Sequence, residues 1–106
     1  MLPEELVNSL TNTYRIRTRA KLQEEALPSP WSTWFMLPVP GYIEAACYGP
    51  VPRGAIEWIE LDPVEQRAIG RLVPPQVLDH TAAVLQQFAS ANIAVEWIEG
   101  RIRVML

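Results

Sequence analysis

The sequence constrains its own fold most at a hexapeptide that occurs twice. Residues 55–60 read Ala-Ile-Glu-Trp-Ile-Glu and residues 94–99 read Ala-Val-Glu-Trp-Ile-Glu, differing only by Ile against Val. Ile, Val and Trp suit a pleated, half-buried strand, so both copies are expected as central strands of one sheet. The second copy runs on to the C-terminus, Ile93 to Leu106, with Glu99-Gly100 as its one turn signal. A two-residue turn there pairs Ile98 with Arg101, Trp97 with Ile102, Glu96 with Arg103 and Val95 with Val104. Ile93, Val95, Trp97, Ile102, Val104 and Leu106 then share an apolar face, while Glu96 and Arg103 stand opposite on the other. A register slip by one residue would mix charge into the apolar face. The reading is a hairpin, 93–98 with 101–106, in which Trp97 is core and Trp97→Ala costs about 3–5 kcal/mol.

The 106 residues make one domain, 1–106, able to bury roughly 60–68% of its unfolded surface. A net charge of −3 gives no global argument for nucleic acid or an anionic membrane surface. The single Cys excludes an intrachain disulfide and a Cys-rich zinc site, and suits a reducing, cytoplasmic setting. Met-Leu-Pro-Glu-Glu at the N-terminus does not read as a signal peptide. Residues 26–43 carry no charge, but Pro28, Pro30, Pro38 and Pro40 rule out a membrane-spanning helix there.

Along the chain, Pro3, Glu4 and Glu5 start a helix with a Leu6, Val7, Leu10 stripe over 3–12. In residues 14–21, Arg15, Arg17, Arg19 and Lys21 alternate with less polar residues, which fits a strand. Good helix formers up to Ala26 tilt the expectation towards a helix to about residue 25. Pro-x-Pro at 28–30, 38–40 and 50–52 delimits two strands, Thr33 to Leu37 and Tyr42 to Tyr48. The loop Gly49 to Gly54 is expected to join strand 42–48 to strand 55–61 as an antiparallel pair. Asp62, Pro63 and Glu65 form a helix-start pattern for a short helix. A long helix follows over 75–91, burying Val77, Leu78, Thr81, Ala82, Val84, Leu85, Phe88 and Ala89 and stopping at Asn92. The sum is α+β: an antiparallel sheet of about five strands with helices on one face.

The chemistry the sequence offers is sparse. His80 is the sole histidine, and Cys47, Ser9, Ser29, Ser32 and Ser90 sit in no nucleophile signature. One His and one Cys cannot build a usual transition-metal site, the glycines form no phosphate loop, and no cofactor is indicated. Glu57 and Glu96 occupy equivalent places in the two hexapeptides. On neighbouring strands they could raise one another's pKa, which with His80 defines a small-molecule or small-enzyme reading. The Arg15, Arg17, Arg19, Lys21 stripe defines a nucleic-acid or polyanion reading, although residues 1–25 also hold four glutamates. Trp31, Trp34, Phe35, Met36 and Tyr42 lie in the uncharged proline-rich segment. Aromatic and Met side chains are enriched at binding hot spots, so these five are the protein-interface candidates. The leading expectation is a small soluble, non-enzymatic protein-binding domain, accessory, regulatory or neutralising, that pairs with another protein or with its own copy as a homodimer.

Overall fold

A computed structural model describes residues 1–46 and 48–106; Cys47, and with it part of the expected 42–48 strand, lies outside the described residues. The architecture is α+β. Helix α1 (Pro3–Tyr14) leads into β1 (Arg17–Leu22), then β2 (Phe35–Met36), β3 (Tyr42–Ala45) and β4 (Val51–Pro52). After one 3-10 turn come β5 (Ile56–Asp62), β6 (Val64–Arg67), β7 (Gln76–Asp79), helix α2 (Thr81–Ser90), β8 (Glu96–Ile98) and β9 (Arg101–Met105). The main sheet has four antiparallel strands in the order β1-β5-β9-β8, accompanied by the meander β2-β3-β4 and the pair β6-β7. Among the described residues no helix is long and apolar enough to cross a membrane.

The C-terminal hairpin has the expected register, Ile98 to Arg101, Trp97 to Ile102 and Glu96 to Arg103, but it is shorter than expected: β8 covers only Glu96–Ile98, residues 93–95 are not strand, and the expected Val95–Val104 pair is not formed. Glu99 and Gly100 both take positive φ, 49° and 82°, as the two centre positions of a twisted two-residue hairpin turn require. The two hexapeptides do share one sheet. The first is central, between β1 and β9, but the second forms the edge strand β8. That position corrects the expectation for Trp97. Its partner Ile102 is fully buried, yet Trp97 itself is 53% exposed, because among the described residues no strand pairs with the outer side of β8.

Core and outer faces follow from alternation along the paired strands. Ile59, Leu61, Ile102 and Val104 point to one side, where they meet Leu6, Val7 and Leu10 of α1 and Val84 and Phe88 of α2. The opposite side carries Arg17, Arg19 and Lys21 from β1, Trp58, Glu60 and Asp62 from β5, and Arg101 and Arg103 from β9. Residues 17–22 are therefore strand rather than helix. The chain leaves α1 through a left-handed turn at Arg15 (φ 54°), and Thr18 and Ala20 are buried while Arg17 stays out. Pairing with β5, some forty residues away, outweighs the helix propensity of the segment.

Three further expectations are corrected. Strand 42–48 does not pair with 55–61; β3 pairs with β2 and β4, and β5 is held between β1 and β9. No helix starts at Asp62, since its Oδ1 accepts the Val64 N–H at 3.2 Å and its Oδ2 takes Arg17 at 2.7 Å. Its carboxylate thus closes a turn around Pro63, and β6 follows. Finally, 76–79 is strand, so the second helix begins only at Thr81, where Asp79 Oδ1 accepts the Thr81 N–H at 2.9 Å. Val84 and Phe88 are its buried residues, and Asn92 ends it with φ 56°.

Candidate functional site

The meander β2-β3-β4 sorts the proline-rich segment onto two faces. Phe35 pairs with Ala45 and Ile43 with Val51, and Phe35, Ala45 and Ile43 point into the core. Met36 pairs with Glu44 and Tyr42 with Pro52, so these stand on the outer face. Trp34 joins them there: its Nε1–H donates to Glu44 Oε2 at 2.7 Å, and its backbone N–H donates to Ser32 Oγ at 2.9 Å. Trp34, Met36 and Tyr42 are 54%, 38% and 42% exposed, and Val39 beside them is also exposed. Three of the five interface candidates therefore form one outward apolar surface. Phe35 does not, because strand alternation turns it inward.

A cleft of about 380 Å³ opens at one end of this surface, between the N-terminus of α1 and the 37–42 turn. Leu37, Pro38, Val39, Pro40 and Tyr42 supply its apolar wall, and the charged residues lining it are both carboxylates, Glu4 and Glu5. The turn is fixed by Tyr42 N–H donating to Val39 O at 3.2 Å, Arg53 N–H donating to Gly41 O at 2.9 Å, and Gly41 at φ 81°, which only glycine adopts freely. Glu5 Oε1 accepts the Leu2 N–H at 2.9 Å and caps the helix.

Trp31, the fifth candidate, lies elsewhere, over the charged face of the main sheet. Its ring is 4.7 Å from the Arg19 guanidinium carbon and 5.2 Å from that of Arg101. Trp58 similarly underlies Arg103 at 4.1 Å. The basic stripe is matched by carboxylates. Arg17 meets Asp62 at 2.7 Å, Lys21 meets Glu57 at 2.9 Å, and Arg19 meets Glu60 at 2.7 Å. Arg103 lies opposite Glu96 in the hairpin but takes Glu60 as its ion pair, at 2.9 Å. Arg15 is outside this row, in the turn after α1. Glu60 is fully buried between two arginines from strands on either side, and nothing local in the sequence marks it out.

The small-molecule candidates are not brought together. Strand β9 separates Glu57 on β5 from Glu96 on β8, and Glu57 sits where the β1–β5 register shifts. His80 stands apart from both, at the base of the β6–β7 pair. Its Nε2 is 2.9 Å from Oε1 of buried Glu65, its ring is 4.7 Å from that of Tyr14, and its N–H donates to Pro63 O at 2.8 Å. The hydrogen bond from His80, reinforced by Arg67, holds the Glu65 carboxyl below its ordinary value of 4.5. A carboxyl lowered on folding stabilises the protein above its unfolded value and loses that contribution as pH falls through the folded one. Glu65→Gln is thus expected to lower Tm at neutral pH, with the gap to wild type closing as pH drops below 4.5, measured by circular dichroism melts. A gap that stays constant down to pH 3 would refute this. Among the described residues no cluster of three or more His, Cys, Asp or Glu is placed to hold a metal ion.

No curated protein and no solved structure matches this chain significantly. A family model does match it, over residues 4–105, which spans both helices and the main sheet. The chain therefore belongs to the family of unknown function DUF6678.

Proposed function

We propose that this is a non-enzymatic protein-binding domain that associates with its own copy through the outer face of β2-β3-β4. The observation that carries the reading is the placement of Trp34, Met36 and Tyr42 together in solvent, with the Trp34 indole fixed by Glu44. An aromatic side chain whose rotamer is already held loses little entropy on binding, and Trp, Tyr and Met are the residue types from which interface hot spots are made. The core does not need these three side chains, since Phe35, Ile43 and Ala45 fill the inner face of the same strands.

The test is Trp34→Glu, followed by size-exclusion chromatography with light scattering. Wild type should elute as a dimer and the variant as a monomer with an unchanged far-ultraviolet spectrum, because Trp34 contributes little to the core. A truncated hot-spot anchor costs at least ~2 kcal/mol of association, or about thirtyfold in Kd. A wild-type dimer that Trp34→Glu leaves intact would remove this face from the proposal.

A further inference from the structure

Two features of the fold complement one another. The first is the β6–β7 arm. It projects from the main sheet, and every residue from Gln66 to Val77 is exposed, Leu72 to 96%. Ile69, Val73 and Val77 are also more than half exposed. Arg71 lies among them at the tip, and no ion pair engages it among the described residues. The arm is thus an apolar tip carrying an uncommitted cation. Four strongly exposed apolar side chains on one short arm are the composition from which an interaction patch is made.

The second feature is the cleft between α1 and the 37–42 turn, which is apolar and acidic. Glu4 is only 4% exposed. Its Oε2 lies 2.6 Å from Arg53 Nε, while its Oε1 has no hydrogen-bond partner among the described residues. That oxygen is itself enclosed, so Glu4 supplies negative charge beneath the cleft, while exposed Glu5 is the carboxylate that a partner's donor can reach. Glu5 adds a second negative charge at the rim.

The two features sit at opposite ends of α1. The arm's base is tied to the C-terminal end through the Tyr14–His80 contact, and the cleft is formed at the N-terminal end by Leu2, Glu4 and Glu5. Twelve helical residues separate them by roughly 18 Å. Two copies placed with their α1 helices antiparallel bring the base of each arm to the other's cleft end. That arrangement closes on itself with two-fold symmetry and leaves no free arm to propagate a filament.

We propose that the β6–β7 arm of a second copy seats in this cleft, Arg71 against the Glu4–Glu5 carboxylates and Leu72 against Leu37, Val39 and Tyr42. The inference rests on the self-association reading above and names what the partner copy inserts. Tyr42 and Val39 belong to both the cleft and the outer face, so arm and face form one continuous interface.

The experiment is sedimentation velocity over a concentration series on wild type, Arg71→Glu, Leu72→Asp, Glu5→Arg and the double variant Arg71→Glu/Glu5→Arg. All three substituted sites are exposed, and since Glu5→Arg also removes the acceptor for the Leu2 N–H, circular dichroism melts establish that each variant keeps its fold. Each single variant should weaken dimerisation by about tenfold or more, and the charge-swapped double variant should recover most of that loss. Dimers unaffected by Arg71→Glu and Leu72→Asp would overturn the arm contact; if Trp34→Glu still gave monomer, the outer-face reading would stand without it. Loss in both single charge variants without recovery in the double would overturn the Arg71–carboxylate pairing. A wild type that stays monomeric throughout would overturn both proposals.

Discussion

Glu60→Ala should lower the folding stability by about 3 kcal/mol or somewhat more, the cost of removing one member of a buried ion-pair set and leaving the others unmatched. Glu60 is 1% exposed and holds Arg19 through Oε1 and Arg103 through Oε2. Neither arginine can simply turn to water. Arg103 is stacked on Trp58 and Arg19 lies beneath Trp31, so both guanidiniums are fixed over the sheet. They are a quarter to a third exposed, which places the effect at the lower end of the range for fully buried charges. For a domain of this size that corresponds to a fall in Tm of at least about 10 °C. Glu96→Ala is the comparison. Glu96 is also opposite Arg103 but exposed and without an ion pair among the described residues, so it should change stability by less than about 0.5 kcal/mol. Equal effects from the two substitutions would mean that Glu60 is not the group that organises this face.

The second large effect is expected at Phe88. It is fully buried in the cluster that joins α2 to Ile59, Leu61, Ile102 and Val104, and Phe88→Ala should cost about 3–5 kcal/mol in urea unfolding. Trp97→Ala, by contrast, should cost about 1 kcal/mol, because half of that indole already faces water on the edge strand. The order of these two effects separates the fold described here from one in which both tryptophan strands are central. If Trp97→Ala proved the more damaging, β8 would have to be covered by a group that the present architecture does not supply.

What the sequence reveals and what it conceals differ by range. The C-terminal hairpin is legible because everything that sets it lies within fourteen residues: the alternation of Val95, Trp97, Ile102 and Val104, and a turn ending in glycine. Whether Trp97 is covered is not legible, since that depends on β8 being the edge strand of the sheet among the described residues. Residues 17–22 carry a period-two pattern and a helix-favouring composition at once. The contest is decided by β5, whose Glu60 and Asp62 receive Arg19 and Arg17. Asp62-Pro63 reads locally as a helix start, but its carboxylate is drawn into a turn and an ion pair, and the whole β6–β7 arm is hidden as a result.

The site is legible in part for the same reason. An uncharged segment punctuated by proline announces short strands with apolar side chains left over, and Trp34, Met36 and Tyr42 are found there together. Phe35 and Trp31 belong to the same segment but are divided from them by strand alternation and by the arginines of the main sheet. The buried carboxylates Glu4, Glu60 and Glu65 give no local signal. Each is buried by partners that arrive from elsewhere in the chain: Arg53, the pair Arg19 and Arg103, and His80.

The proposed self-association through the outer face of β2-β3-β4 can be located directly. Backbone hydrogen exchange, followed by mass spectrometry across a concentration series, reports both whether copies associate and where. Self-association through this face should slow exchange at high concentration in residues 34–42, with none of that gain over β1 and β9 on the arginine face. Concentration-dependent protection confined to residues 17–22 and 101–105, or no dependence on concentration at all, would contradict it.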